Sequence, residues 1–215
     1  MDPGFWLERW RTQQIGFHEG QPNDLLVAHA DRLRDARSVY VPLCGKAEDL
    51  AYLAGRGHDV IGSELAHEAV SAFFTEHGLT PRKDDVQGVA RFRAAGVTIL
   101  EGDALTLTQT HTGVVDGIYD RAALVAIDPS DRERYVEVNA RLLRTGGVML
   151  LVSLTYDQSQ LEGPPWSVPE EQVRALFEAR FQIEKLQTRP ADAGPRFAPV
   201  ASSLLESIYL LTKRG

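Results

Sequence analysis

Apolar positions along the chain alternate between two kinds of pattern. Short β-branched or aliphatic runs stand at residues 38–41 (SVYV), 59–64, 97–103, 114–120 and 148–154, and between most of them apolar residues recur every three or four positions. The first kind predicts strands, the second helices with one buried stripe. In chain order the pattern predicts a helix over 5–15, with Trp6 and Trp10 on one face, and a second over 25–33 capped by Asn23-Asp24. The strand 38–41 follows, then a helix from Ala47 to Ala54 stopped by Gly55-Arg56-Gly57. After the strand 59–64, a helix over 66–77 turns Val70, Phe73 and Phe74 inward and ends at Gly78. Residues 80–96 hold charges, Pro81 and one short apolar stretch, and predict an irregular insertion or a small hairpin. Beyond the strands 97–103 and 114–120, a helix begins at Asp128-Pro129-Ser130 and stops at Gly146-Gly147, ahead of the buried strand 148–154. A helix over 169–179 has acids in its first turn, and strands 181–186 and 207–212 have no helix between them, so that last pair is antiparallel. The sum is an α/β fold: a doubly wound, mostly parallel seven-stranded sheet in a single domain over 1–215, residues 1–36 forming an N-terminal helical cover and 37–215 the sheet core.

Composition narrows the functions open to such a domain. A chain of 215 residues that is 43% hydrophobic can fill one large core. Its net charge of −7 offers no basic footprint for nucleic acid, so small substrates are favoured. Cys44 is the lone cysteine, which excludes an intrachain disulfide, and the six histidines show no metal-ligand pairing with it, so no metal is expected. The start lacks the basic and apolar regions of a signal peptide, and the run 148–154 is too short to span a membrane. A cytoplasmic monomer with neither membrane nor nucleic-acid partner is expected.

The candidate chemistry centres on residues 38–46 (SVYVPLCGK), a strand running through a tight turn into a helix. Glu64 closes the second strand nineteen residues beyond Gly45. Nucleotide-binding sheets place an acid there because a carboxylate accepts both hydrogen bonds of a ribose diol. The turn lacks the further glycines that bring a backbone close to a pyrophosphate, with Leu43, Cys44, Lys46 and Ala47 in their place. An adenosine joined to an amino acid, as in S-adenosylmethionine, therefore fits better than a nicotinamide dinucleotide, although a lone acid at a strand end also occurs as a plain solvated terminus. Asp103 suits an adenine amine, and Gly102-Asp103 is equally an ordinary turn pair. Arg121, at the end of the fourth strand, points into the crevice rather than the core. Trp6 and Trp10 either dock the first helix or make it a lid over the ligand. Cys44 reads as a small buried side chain and not a nucleophile, and His18 as a loop residue or a proton acceptor.

Several strings carry a specific likeness: residues 6–10 (WLERW) with Gly16-Phe17-His18, VPLCGK at 41–46, GHDVIGSE at 57–64, YDRAALVAI at 119–127, and Tyr156-Asp157 with Gly163-Pro164-Pro165. With them the chain resembles the thiopurine S-methyltransferases, within the class I methyltransferases that use S-adenosylmethionine. The resemblance implies methyl transfer to the sulfur of aromatic or heterocyclic thiols, and, for bacterial members, to selenium and tellurium compounds. It implies cofactor contacts at Trp10, Leu43, Gly45, Glu64, Leu65 and Arg121, with Asp103 and Ala104 near the adenine. Phe17, with Trp6 and His18, stands on the side of the small-molecule thiol. Displacement at a sulfonium by a thiolate needs orientation more than acid–base help, so no catalytic triad is expected, and Arg121 is the candidate stabiliser of the acceptor. Two other readings stand beside this one: a sensor that binds S-adenosylmethionine without turnover, and a nicotinamide-dependent oxidoreductase, which the missing glycines disfavour. Residues 192–205 match the family least, which leaves the acceptor open.

Overall fold

The computed structural model describes residues 3–16, 18–191 and 194–215, apart from the side chain of Pro3. In order, the elements are α1 (Pro3–Arg11), α2 (Asp24–His29), β1 (Ser38–Val41), α3 (Glu48–Gly55), β2 (Asp59–Glu64), α4 (His67–Glu76), β3 (Arg82–Val86), β4 (Val89–Ala94), β5 (Val97–Glu101), α5 (Gln109–Thr112), β6 (Val115–Arg121), α6 (Arg132–Leu142), β7 (Leu143–Thr155), α7 (Glu170–Phe177), β8 (Phe181–Pro190) and β9 (Leu205–Lys213). Among the described residues the strands form one sheet in the order β3-β4-β5-β2-β1-β6-β7-β9-β8. The five central strands β5, β2, β1, β6 and β7 are parallel. Antiparallel strands extend both edges.

The seven expected strands are present, but the sheet has nine, because residues 82–94 form two more. β3 reads Arg-Lys-Asp-Asp-Val and lies at an edge, so it buries too little to show an alternating pattern. Turns make the hairpin instead: Gln87-Gly88 and Ala95-Gly96 all have left-handed φ, between 50° and 83°. Such two-residue turns match the twist of paired strands. Across the pair, Asp84 accepts hydrogen bonds from Arg91 at 2.9 and 3.0 Å and from Arg93 at 2.5 Å.

A second correction concerns Gly146-Gly147, expected to end a helix. Pro129–Asp131 is a 3-10 turn, α6 is over at Leu142, and β7 begins at once. The glycines sit inside β7 where its register with β6 slips, Val115 pairing with Leu143 but Gly117 with Val148. A Cβ on Gly147 would lie 2.7 Å from Leu143 Cδ1 and 2.9 Å from the carbonyls of Arg144 and Asp116. The pair therefore serves a bulge. The first helix is also shorter than expected, ending at Arg11.

Helices cover both faces of the sheet. Leu25 and Leu26 of α2, Leu50 and Leu53 of α3, and Val70, Phe73 and Phe74 of α4 pack on one face. Tyr135 and Val136 of α6, with Val173 and Phe177 of α7, pack on the other. Each such side chain contributes about 1.5–3 kcal/mol by leaving water. No helix among the described residues is long and apolar enough to cross a membrane. From β1 the chain crosses through α3 to β2, whereas β6 returns on the opposite side of β1. The carboxyl ends of β1 and β6 thus diverge, which is where open α/β sheets hold ligands.

Candidate active site

A cleft of about 520 Å³, open to solvent, lies at this divergence. One wall is the turn after β1. Leu43 and Gly45 take left-handed φ of 47° and 54°, and Gly45 also has the Trp10 ring against it, where a Cβ would come within 3.0 Å of the indole. Trp10 is buried with Ala66 and Ala69, so α1 is docked on the start of α4 rather than standing clear of the core.

Three backbone segments meet at one carboxylate. Glu64, only 7% exposed, accepts from Gly45 N–H at 2.9 Å and from Ala66 N–H at 2.7 Å. It ties the end of β2 to the turn after β1 and to the start of α4. Burial pushes its carboxyl up, opposed by the N–H groups of Ala66, Gly45 and Leu65. A carboxylate has about four lone-pair sites, so two such bonds leave it able to accept more. Cys44, next to this contact, is buried, and burial followed by the charge of Glu64 pushes its thiol well up, so it is no thiolate at neutral pH.

The opposite wall is the end of β6, where successive side chains alternate between faces. Asp120 turns away from the cleft and is fully buried. It accepts from Tyr135 Oη–H at 2.7 Å and from the N–H groups of Ala123 and Leu124 at 3.2 and 3.1 Å. Burial pushes it up to about 6 against these bonds. The turn it braces holds Ala122 at a φ of 66° and presents Arg121 to the cleft. Arg121 donates to Glu19, which also accepts from Asn23 Nδ2 at 3.1 and 3.4 Å. The backbone N–H of Asn23 donates to Asp49 at 2.7 Å. Asp49 is 4% exposed, and burial pushes it up to about 6. The buried Tyr119 hydroxyl lies near Asp49, yet has no hydrogen bond of ordinary geometry among the described residues. His18 is half-buried at the mouth and held below its usual value, by burial first and then by the charge of Lys46. Lys46 itself pairs with Glu76 at 2.6 Å.

Of the residues singled out from the sequence, Trp10, His18, Leu43, Gly45 and Arg121 line the cleft. Glu64 sits beneath it, joined through Gly45, and half-buried Leu65 follows. Asp103 and Ala104 lie one strand further out, after β5, where Asp103 caps the 3-10 turn Ala104–Thr106 through Leu105 N–H at 2.9 Å. Trp6 is not among the lining residues and packs edge-on against Phe5. Phe17 lies outside the described residues. Sequence reasoning missed Glu19, Asp49 and Tyr119. Only Tyr119 had a signal, standing two positions before Arg121 and so on the same face of the strand.

These groups fit an adenosyl amino acid. A strand-end acid under a glycine-poor turn suits a ribose, and charges of both signs with an unpartnered hydroxyl suit an amino-acid end. The sheet order, the cleft at its divergence and this acid define a class I methyltransferase-like α/β fold. Solved structures share it: Burkholderia thailandensis 1,6-didemethyltoxoflavin-N1-methyltransferase with bound 1,6-didemethyltoxoflavin and S-adenosylhomocysteine has a TM-score of 0.68 at 16% identity, over 99% of this chain and 87% of that one. A TehB-like SAM-dependent methyltransferase from Corynebacterium glutamicum has a TM-score of 0.59 at 16% identity, over 99% and 98%. At sequence level, the profile of the thiopurine S-methyltransferase family matches residues 1–214. A thiopurine S-methyltransferase of Pseudomonas aeruginosa is 44% identical over 218 residues, covering all of both chains, and one of Shewanella woodyi is 41% identical over 223 residues with the same coverage. The chain belongs to the thiopurine S-methyltransferase family, enzymes whose methyl donor is S-adenosylmethionine.

Proposed function

We propose that the protein moves the methyl group of S-adenosylmethionine to the sulfur of aromatic or heterocyclic thiols such as thiopurines, with selenium and tellurium compounds as further acceptors. One observation carries this reading: the Arg121 guanidinium and the Leu43–Gly45 turn share a single cleft above the Glu64 carboxylate. The names of the full-length relatives support the thiol as acceptor.

When bound, the donor supplies an electrophilic methyl group on a sulfonium. Glu64 would take the ribose hydroxyls, Leu43, Gly45, Leu65 and Trp10 would hold the donor around it, and Asp103 and Ala104 would serve the adenine. Arg121, charged at every working pH, favours the acceptor as a thiolate and so raises the attacking fraction. Half-buried and below its usual value, His18 is neutral at pH 7 and accepts the proton of an acceptor that arrives as a thiol. Trp6 and Phe17 belong to the acceptor side, within a cover of residues 1–36 on a single domain. Aligning sulfur with methyl contributes about 7–11 kcal/mol by orientation alone, so no nucleophile on the protein is needed.

The test is incubation with methyl-labelled S-adenosylmethionine and a panel of thiopurines, thiophenols, selenite and tellurite. Label should pass to the thiols. Donor binding without transfer to any of them would leave a sensor in place of an enzyme.

A further inference from the structure

We propose that Asp49 and the Tyr119 hydroxyl form the subsite for the α-ammonium of the bound donor, in the same cleft as Arg121. The proposal rests on the methyltransferase reading and extends it to the amino-acid end of the donor. That end carries two opposite charges. A carboxylate needs donors, which a guanidinium supplies, whereas an ammonium brings three N–H donors and needs acceptors.

The cleft holds such acceptors where nothing else uses them fully. Tyr119 Oη is completely buried in the wall and has no hydrogen bond of ordinary geometry among the described residues, an arrangement that costs free energy unless a ligand supplies the partner. Beside it, Asp49 is an acid buried at the start of α3. The groups facing Asp49 are Tyr119 and Arg121 from β6, Glu19 from the segment before α2, and the backbone N–H of Asn23 at the cap of α2; its own helix adds Glu48. Arg121 is already engaged by Glu19, and Lys46 by Glu76. An incoming cation would offset the burial that now pushes Asp49 up to about 6, and would give Tyr119 Oη a donor.

The experiment compares S-adenosylhomocysteine with its analogue lacking the α-amino group, by calorimetry on the full chain. The wild type should bind the amino-bearing ligand at least about tenfold more tightly, the step of one good charged hydrogen bond. Asp49→Asn, which keeps an acceptor for Asn23, should bring the two ligands within about threefold, and Tyr119→Phe should narrow the gap part of the way. Tyr119→Phe removes only a hydroxyl that has no hydrogen bond of ordinary geometry among the described residues, so it tests the subsite even if the first variant fails to fold. Between pH 5 and 7 the wild-type preference should grow as Asp49 ionises, and in Asp49→Asn it should stay flat. His18, Glu64 and Asp120 titrate in both ligand series and cancel in the comparison. Equal affinities in the wild type, or a preference unchanged by both variants, would overturn the subsite. Absence of S-adenosylhomocysteine binding would instead strike at the methyl-donor reading itself.

Discussion

Replacing Glu64 by Gln separates two roles that meet at one side chain, bracing the turn and holding a ribose. The amide keeps the volume and one acceptor oxygen. Its NH2 group, however, must face either Gly45 N–H, now 2.9 Å from a carboxylate oxygen, or Ala66 N–H, now at 2.7 Å. Two donors then oppose each other, and one buried N–H loses its partner, at a cost of about 1–3 kcal/mol. The loss falls at the low end of that range, because the carboxyl is pushed up by burial and a neutral amide avoids part of that penalty. Urea unfolding should therefore show a modest drop in midpoint with an unchanged slope. Affinity should fall further than stability does. A ribose hydroxyl bonded to a charged acceptor is worth about 1.5–3 kcal/mol, so S-adenosylhomocysteine should bind roughly 10- to 150-fold more weakly by calorimetry on the folded variant. Unchanged affinity in a variant with the expected loss of stability would make Glu64 a brace for the turn and nothing more. Unchanged stability would refute the bracing argument.

Three further outcomes follow from the same geometry. Between about pH 4 and 6 the folded chain still holds the Asp120 proton that the unfolded chain has released, so stability falls as pH rises through that window; Asp120→Asn should lack this component, its stability relative to wild type improving by about 2 kcal/mol from pH 4.5 to 7 in paired denaturant titrations. Arg121→Met should reduce kcat most for thiols of high pKa and least for those already ionised; equal losses across a graded series, in step with weakened S-adenosylhomocysteine binding, would confine Arg121 to the donor's carboxylate. Gly147→Ala should lower stability by about 1–3 kcal/mol, because its Cβ would press on two carbonyls that belong to the β6–β7 bulge, and an unchanged melting temperature would contradict that crowding.

What the sequence discloses depends on whether a residue reports a face or a partner. Strand runs such as 148–154 were legible because each buries a face of the sheet, and burial selects residue type position by position. The nineteen-residue spacing from Gly45 to Glu64 was legible too, since a strand, a turn and one crossover of fixed length bring them to a 2.9 Å contact. β3 and β4 were legible only as one of two alternatives, a small hairpin beside an irregular insertion, because an edge strand satisfies itself with charges, and the Asp84 bonds to Arg91 and Arg93 are visible only once the register is known. Gly146-Gly147 misled because glycine marks a left-handed or crowded backbone without saying whether a helix end or a bulge demands it. Trp6 and Trp10 share a helical spacing, yet Trp10 is buried on α4 while Trp6 is half-exposed beside Phe5, since a short docked helix has room for one indole against the core.

The charged half of the cleft was the least legible part, and the reason is physical. Arg121 and Glu19 are 102 residues apart, and Asn23 and Asp49 are 26 apart. Such pairs are chosen by long-range geometry and leave no local period. Taken singly, Glu19 reads as a surface acid and Asp49 as a complement to the dipole of α3. Their positions acquire meaning only because Asn23 links them, its backbone to Asp49 and its side chain to Glu19, and so couples the segment before α2 to both walls of the cleft. A ligand that engages Arg121 must compete with Glu19, and through Asn23 that competition reaches Asp49. The amino-acid end of the donor is thereby read by a connected set of charges and not by one arginine, which is why the Arg121 and Asp49 substitutions should be non-additive in a double-mutant cycle on S-adenosylhomocysteine affinity.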